Sequence, residues 1–243
     1  MRFIVVDTAD ARGSVALFEN AGPVTVEAHA TNEDYSSWLL PAVQSVLAPV
    51  GLSVSQLDGY AVCAGPGSFT GLRVGLTTVK AWAEIYEKPI VAVSRLEALL
   101  EPNPGESAIV EPFAAAYFDA RRGQIFAALY RRGDSGFTLT GEEAVIAPGD
   151  FLQCVNAEAA GYGVRWRSPD SEVMKALPEW SQFAGHQHVI EEVAAPFAVR
   201  LGSLAYRKFR SGDTTDALSL DANYVRRSDA EVLWKGNKSP LIR

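Results

Sequence analysis

Gly59-Tyr60-Ala61-Val62-Cys63-Ala64-Gly65-Pro66-Gly67-Ser68-Phe69-Thr70-Gly71-Leu72-Arg73-Val74-Gly75 decides how the rest of the chain is read. Gly59–Ala64 is an apolar strand that runs straight into a glycine-rich turn. A helix predicted over Phe69–Tyr86 leaves that turn and is stopped by Pro89. Free N–H groups at such a helix start attract anions. A phosphate loop, however, needs a Lys-Ser/Thr pair after its last glycine, where Leu72-Arg73 stand. The dinucleotide pattern fails as well: Gly71 comes one residue late after Gly65-Pro66-Gly67, and Pro66 removes a donor. Ser68 lacks the flanks of a nucleophile elbow and reads as the helix N-cap. Leu72, Leu76, Val79 and Ala83 form the natural core face of the helix. Gly71, Gly75 and Thr78, extended by Trp82, form a second stripe of little bulk. Glycine inside a helix costs about 1 kcal/mol relative to alanine, so something packs there. It is either another helix, as in small-xxx-small pairs, or the chain's own sheet. Phe69, at the helix start, is expected to be exposed in a monomer and buried in a complex.

Upstream, Phe3–Val6, Ser14–Phe18 and Val24–Ala28 read as three strands separated by turn chemistry, a β-meander. Trp38, Leu39, Ala42, Val43, Val46 and Leu47 then fall at helical spacing, with Asn32 or Asp34 as cap, and Gly51 ends the helix. Pro41 predicts a kink in it, or a start near Leu40. Downstream come a strand over Ile90–Val93 and a short helix through Leu100 with Ser94 and Glu97 as a capping box. A Pro- and Gly-rich linker follows at Glu101–Glu106. A hairpin is predicted from Phe113–Phe118 and Gln124–Tyr130, then a loose region to about His188, then a helix over about Pro196–Arg210. This order predicts an α/β fold of two actin-like lobes with mixed sheets flanked by helices. Residues 1–101 form the first lobe and 102–195 a smaller second lobe, while 196–243 pack back as a helix and basic tail.

The chain has 243 residues and a net charge of −7, which argues against a stand-alone nucleic-acid binder. The charge is uneven: residues 1–199 carry 13 basic and 24 acidic side chains, residues 200–243 carry 9 and 5. The basic tail, with Arg226, Arg227, Lys235 and Lys238, leaves contact with RNA or an acidic partner open. No apolar run approaches the ~20 residues of a membrane helix, and the N-terminus lacks a signal-peptide core; a cytoplasmic protein without membrane contact is expected. Cys63 and Cys154 form no CxxC and are read as small buried hydrophobes.

The glycine segment resembles the signature of the TsaB family of tRNA threonylcarbamoyladenosine biosynthesis proteins, also called glycoprotease-like. Ile4-Val5-Val6-Asp7-Thr8 resembles the family's first strand, and Ser36 with Leu39-Leu40-Pro41 its Ser-x-x-Leu-Leu-Pro helix. Phe118-Asp119-Ala120-Arg121-Arg122-Gly123 resembles its Asp-Ala-Arg segment, and Asn223-Tyr224-Val225-Arg226 its closing segment. The similarity runs from Phe3 to about Arg227. Where the family often has histidine before the serine motif, this chain has Tyr35. The resemblance implies two actin-like lobes and a subunit that supports the catalytic relative TsaD. TsaD would transfer a threonylcarbamoyl group from threonylcarbamoyl-AMP to N6 of the adenosine next to the anticodon. TsaE and tRNA would be further partners of the complex, and a homodimer would use the same surface as TsaD. The implied interface comprises Ser36, Leu39, Leu40 and Val43 of one helix. From the glycine turn and the next helix it takes Gly67, Ser68, Phe69, Thr70, Gly71, Arg73, Val74, Gly75, Thr78 and Trp82.

A non-catalytic role is expected. The catalytic relative has a His-x-x-x-His metal pair, whereas His29, His186 and His188 give no such spacing. In the actin-like fold an aspartate ending the first strand helps to hold metal and phosphate. Asp7 stands there and is a weak cofactor candidate, but only Gly13 represents the usual glycine-rich turn, and Asp10 adds negative charge. No cofactor of its own is expected; ATP or ADP could sit at the interface with TsaD. The competing expectation is an actin-like small-molecule kinase or ATPase using Asp7.

Overall fold

The structure, a computed structural model, describes residues 1–29, 33–103, 105–134, 136–183 and 188–225. Asn32, His186 and the basic tail residues Arg226, Arg227, Lys235 and Lys238 lie outside them. The first half contains β1 (Arg2–Asp7), β2 (Ser14–Glu19), β3 (Gly22–Ala28), α1 (Tyr35–Leu47), β4 (Gly59–Gly65), α2 (Phe69–Tyr86), β5 (Ile90–Ser94) and α3 (Arg95–Ala98). The second contains β6 (Phe113–Arg121), β7 (Gln124–Gly133), β8 (Gly136–Leu139), β9 (Ala144–Ile146), α4 (Pro148–Ala159), β10 (Val164–Ser168), α5 (Ser171–Lys175), α6 (Trp180–Phe183) and β11 (His188–Glu192). Last comes α7 (Ala198–Ser211).

One plan occurs twice. The first sheet runs β3-β2-β1-β4-β5, an antiparallel meander joined on its β1 side by two parallel strands. The second runs β11-β10-β6-β7-β8 with β9 beside β7; β6, β7 and β8 are the meander, and β10 and β11 are the parallel pair. This repeated mixed sheet, flanked by helices, is the two-lobe α/β arrangement of actin-like folds. β1 is buried along Phe3–Asp7, as a strand covered on both faces must be. Phe3 stacks on Phe18 and meets Phe209 of α7, whereas Val6 faces Gly75 of α2. The two positions have opposite parity, so α7 and α2 cover opposite faces of the sheet.

Two sequence expectations need correction here. First, α1 begins at Tyr35 and runs through Pro41. The bond lost is the one to the Ser37 carbonyl, which lies on the exposed side where water can take it. Asp34 holds the N-cap position without a side-chain cap bond. Second, the stretch expected to be loose up to His188 is folded. α4 has Pro148 in its first turn and buries Phe151, Leu152, Val155 and Ala159 on one face. Cys154 is on the other face and exposed, against the expectation of a buried thiol; Cys63 is buried. The Pro- and Gly-rich linker is pinned by two buried arginines. Arg167 donates to the carbonyls of Leu99, Leu100 and Glu101 and pairs with Glu191. Arg200 donates to the Glu101 carbonyl and pairs with Glu106.

The second core is built on the fully buried Trp166, whose ring meets Phe151 and Trp180 edge-on and whose Nε1 donates to Nδ1 of buried His188 (2.9 Å). Burial pushes the His188 pKa below its usual 6.5. The unfolded chain therefore binds more protons than the folded one as pH falls below about 6.5, and stability is lost through that window. Protonation at Nδ1 would also set two donors against each other. Urea denaturation between pH 7.5 and 5 should show a falling midpoint for the wild type. His188→Gln, which keeps an acceptor for the indole, should give a flatter profile; equal slopes would refute this assignment.

Candidate functional site

α2 leaves β4 through Gly65-Pro66-Gly67-Ser68. Ser68 caps it by accepting from the Gly71 N–H (3.3 Å), and its own N–H donates to the Ala9 carbonyl (2.6 Å). The glycines face inward. A Cβ on Gly67 would lie 2.5 Å from the Ala9 carbonyl oxygen, one on Gly75 would lie 2.5 Å from Thr8 Oγ1, and one on Gly71 would overlap the Thr8 carbonyl oxygen. Thr8 Oγ1 donates to the Gly71 carbonyl (2.7 Å). The Gly71–Gly75 stripe thus seats α2 on the end of its own β1, and the expectation that it accepts a partner's helix is corrected. Gly71 and Gly75 are buried and present no surface to a partner, whereas Gly67 is partly exposed and lines a neighbouring cleft.

The other residues named from the sequence come together in a groove between α1 and α2, except Ser68, which lines that cleft. Ser36, Leu39, Leu40, Phe69, Thr70, Arg73, Val74 and Thr78 line a hollow of about 510 Å³ with Tyr35 and Thr77. Leu40, whose side chain is 58% exposed, stands at its edge. Beyond Leu40 a second hollow of about 390 Å³ is walled by Val43, Leu47, Leu52, Val54 and Trp82. Together they make one largely apolar trough along the two helices. Exposed apolar features of this kind occur at protein–protein contacts and at ligand-binding grooves.

Phe69 is the wall between this groove and a cleft of about 670 Å³. It is half-buried rather than exposed: the Arg73 guanidinium lies 3.8 Å above its ring, the Tyr224 ring is 5.0 Å away, and Arg73 Nε donates to the Tyr224 hydroxyl (3.2 Å). The contact comes from the segment 150 residues downstream, which local sequence could not show. The cleft lies between the loop after β1, the start of α2, the β6–β7 hairpin tip, Asp170 and Asn223–Val225.

Asp7 does not line that cleft. Its carboxylate is fully buried, accepts from the Ala9 N–H (3.0 Å) and lies 3.3 Å from Nη2 of Arg95. Burial pushes its pKa up, with Arg95 opposing. Asp10 accepts from Arg95 Nη2 (2.7 Å) and from Arg12. Burial would raise its pKa too, but Arg95 and Arg12 outweigh it and hold the carboxyl below the usual range. Three of the loop's amides are spent inside the protein: Ala9 N–H donates to Asp7 Oδ1, Arg12 N–H to Asp10 Oδ1, and Gly13 N–H to the Asp10 carbonyl and the Tyr35 hydroxyl. The Tyr35 hydroxyl also fills the space where a Cβ on Gly13 would stand. A metal-bound nucleotide does not fit these residues, because the carboxylates already face guanidinium groups and these donors are taken. Among the described residues no group of three His, Cys, Asp or Glu side chains is placed to hold a metal. No helix among them is long and apolar enough to cross a membrane.

Comparison with known proteins agrees with this geometry. The family model described as TsaD: tRNA N6-adenosine threonylcarbamoyltransferase matches residues 26–204. The tRNA threonylcarbamoyladenosine biosynthesis protein TsaB of Escherichia coli K12 is 29% identical, with 97% of both chains covered. The protein of the same name from Bacillus subtilis 168 is 26% identical over 96% of this chain and 98% of its own. Among solved structures, a Pseudomonas aeruginosa protein described as uncharacterized with similarity to peptidase YEAZ superposes with a TM-score of 0.76 at 25% identity, covering 93% of this chain and 99% of its own.

Proposed function

The chain belongs to the TsaD family and, within it, to the TsaB proteins, and from that premise we propose that it serves tRNA threonylcarbamoyladenosine formation as a docking subunit rather than as the catalyst. In this reading TsaD transfers threonylcarbamoyl from threonylcarbamoyl-AMP to N6 of the adenosine next to the anticodon, and this chain binds TsaD through the α1–α2 groove. The observation that carries it is the trough itself, an apolar hollow edged by Leu40, which is 58% exposed, and by Val74 and Trp82, which are only partly buried. The buried and paired state of Asp7 supports a non-catalytic role, as does the use of Ser68 as a helix cap. Asp7 does not line the cleft; Ser68 does, with its hydroxyl oxygen engaged by the Gly71 N–H. TsaE, and tRNA held by the complex, are the further partners of the proposal, and the cytoplasm its setting. ATP or ADP, if used, would sit at the TsaD interface. A homodimer would compete for the same groove and needs roughly 800 Å² buried per partner.

Co-expression with TsaD and reconstitution with tRNA and threonylcarbamoyl-AMP test this. The chain alone should form no modified nucleoside, should copurify with TsaD, and should raise its yield. Turnover by the chain alone, or TsaD fully active without it and not retained by it, would remove the proposal. The kinase alternative predicts ATP hydrolysis by the isolated protein; none is expected.

A further inference from the structure

We propose that the Asp7–Gly13 loop, the place of cation and phosphate in this fold class, is here a strut that sets α1 and α2 in position, with Arg95 and Arg12 supplying permanently the positive charge a bound ligand would bring. The loop touches both helices with its backbone. The Ala9 carbonyl accepts from the Ser68 N–H (2.6 Å) at the α2 cap. The Asp10 carbonyl accepts from the Tyr35 hydroxyl in the first turn of α1, and that hydroxyl accepts from the Gly13 N–H (2.9 Å). Thr8 holds Gly71 in the second half of the first turn of α2.

From below, the loop is gripped by two guanidinium groups. Arg95 has a side chain only 1% exposed; it reaches both Asp7 and Asp10 and lies over the rings of Phe118 (4.4 Å) and Phe197 (4.8 Å). Arg12 bridges the two sheets. Nε and Nη2 donate to Asp10 Oδ2 (3.0 and 2.5 Å), and Nη1 and Nη2 donate to Asp170 Oδ1 and Oδ2 (2.8 and 3.2 Å). Asp170 is itself fixed by the Asp119 N–H on β6 (2.8 Å). A planar guanidinium is suited to holding two carboxylates at once, and it carries its charge at every accessible pH. Charge-assisted bonds therefore run from the second sheet through Arg12 to Asp10, and neutral hydrogen bonds from the loop continue to the first turns of the docking helices. Only the last step, from helix position to partner affinity, rests on the function proposed above.

Arg12→Gln and Asp170→Asn test the strut, since both side chains are partly exposed and neither lies in the groove. Amide exchange at Ser37, Trp38 and Leu72 should accelerate about tenfold or more in both variants, while amides of α4 keep their wild-type rates. Affinity for TsaD should fall about tenfold, and millimolar Mg-ADP or Mg-ATP should leave the melting midpoint of the wild type unmoved. The strut is overturned by unchanged exchange in α1 and α2, by acceleration spread evenly over α4, or by a nucleotide-dependent rise in the wild-type midpoint. If wild-type protein fails to bind TsaD at all, the docking assignment falls and the exchange experiment still judges the strut.

Discussion

Gly71→Ala is expected to destabilise the protein by about 3 kcal/mol or more, the upper range for overpacking a filled interior. On helix propensity alone the change should help, by about 1 kcal/mol. The new methyl, however, overlaps the carbonyl oxygen of Thr8, a backbone atom at the end of the buried strand β1. Relief would need α2 to lift from the sheet, breaking the Thr8–Gly71 and Ala9–Ser68 hydrogen bonds. Gly75→Ala should cost less, because the nearest atom there belongs to the Thr8 side chain, whose displacement loses its bond to the Gly71 carbonyl but moves no backbone. Thermal melts check the order. For a chain of this size about 3 kcal/mol corresponds to a fall of roughly 10 °C, and Gly75→Ala should fall between Gly71→Ala and wild type. A Gly71→Ala protein melting at or above the wild type would show that the glycine face is not packed on β1.

That result bears on what the sequence can reveal. The spacing of Gly71 and Gly75 makes a flat helix face legible, and both possible occupants, partner helix or own sheet, were visible as options. Choosing between them needs the position of Thr8, which is 63 residues away in the chain. The first sheet was readable because each strand is a short apolar run ended by Gly, Pro or Asp, and α2 has its expected limits. β10 was missed, and α4 was read only as a helix around Cys154, although both carry fuller signals. Pro148 marks a helix start, Phe151, Leu152, Val155 and Ala159 lie at helical spacing, and Val164-Arg165-Trp166 alternates. The groove was half legible: the helical stripe separates buried Leu39 from exposed Leu40, but the hollow between α1 and α2 depends on how the sheet places the two helices.

Arg95 is the residue that local pattern misplaces most. Ser94-Arg95-Leu96-Glu97 reads as an exposed capped turn, yet Arg95 is among the largest fully buried side chains. A cation in the first turn of a helix opposes the helix dipole. That small conflict was the available sign that Arg95 is used elsewhere. Its partners, Asp7 and Asp10, could be paired with it only after β1 and β5 are placed on either side of β4. Tyr35 is a similar case. Only the structure shows its hydroxyl standing against Gly13 and Asp10.

Leu40→Asp should reduce affinity for TsaD by more than about 100-fold, equivalent to ~2.7 kcal/mol, while the melting midpoint stays near that of the wild type. The side chain is more than half exposed, so its loss removes little from the core, and a surface change of this kind costs within about 0.5 kcal/mol. Leu40 nevertheless borders both hollows of the trough, so any partner filling them must cover it. An aspartate there would be desolvated among Leu39, Val43, Val74 and Trp82, and the cation of the lining, Arg73, is already held over Phe69 and by Tyr224. Ile85→Asp is the matched control: Ile85 is 69% exposed, lies on α2, and borders neither hollow. Titration calorimetry with TsaD should separate the two variants clearly. Equal affinities for wild type and Leu40→Asp would place the docking surface elsewhere. Equal loss in both variants would show that general surface charge, rather than the trough, governs binding.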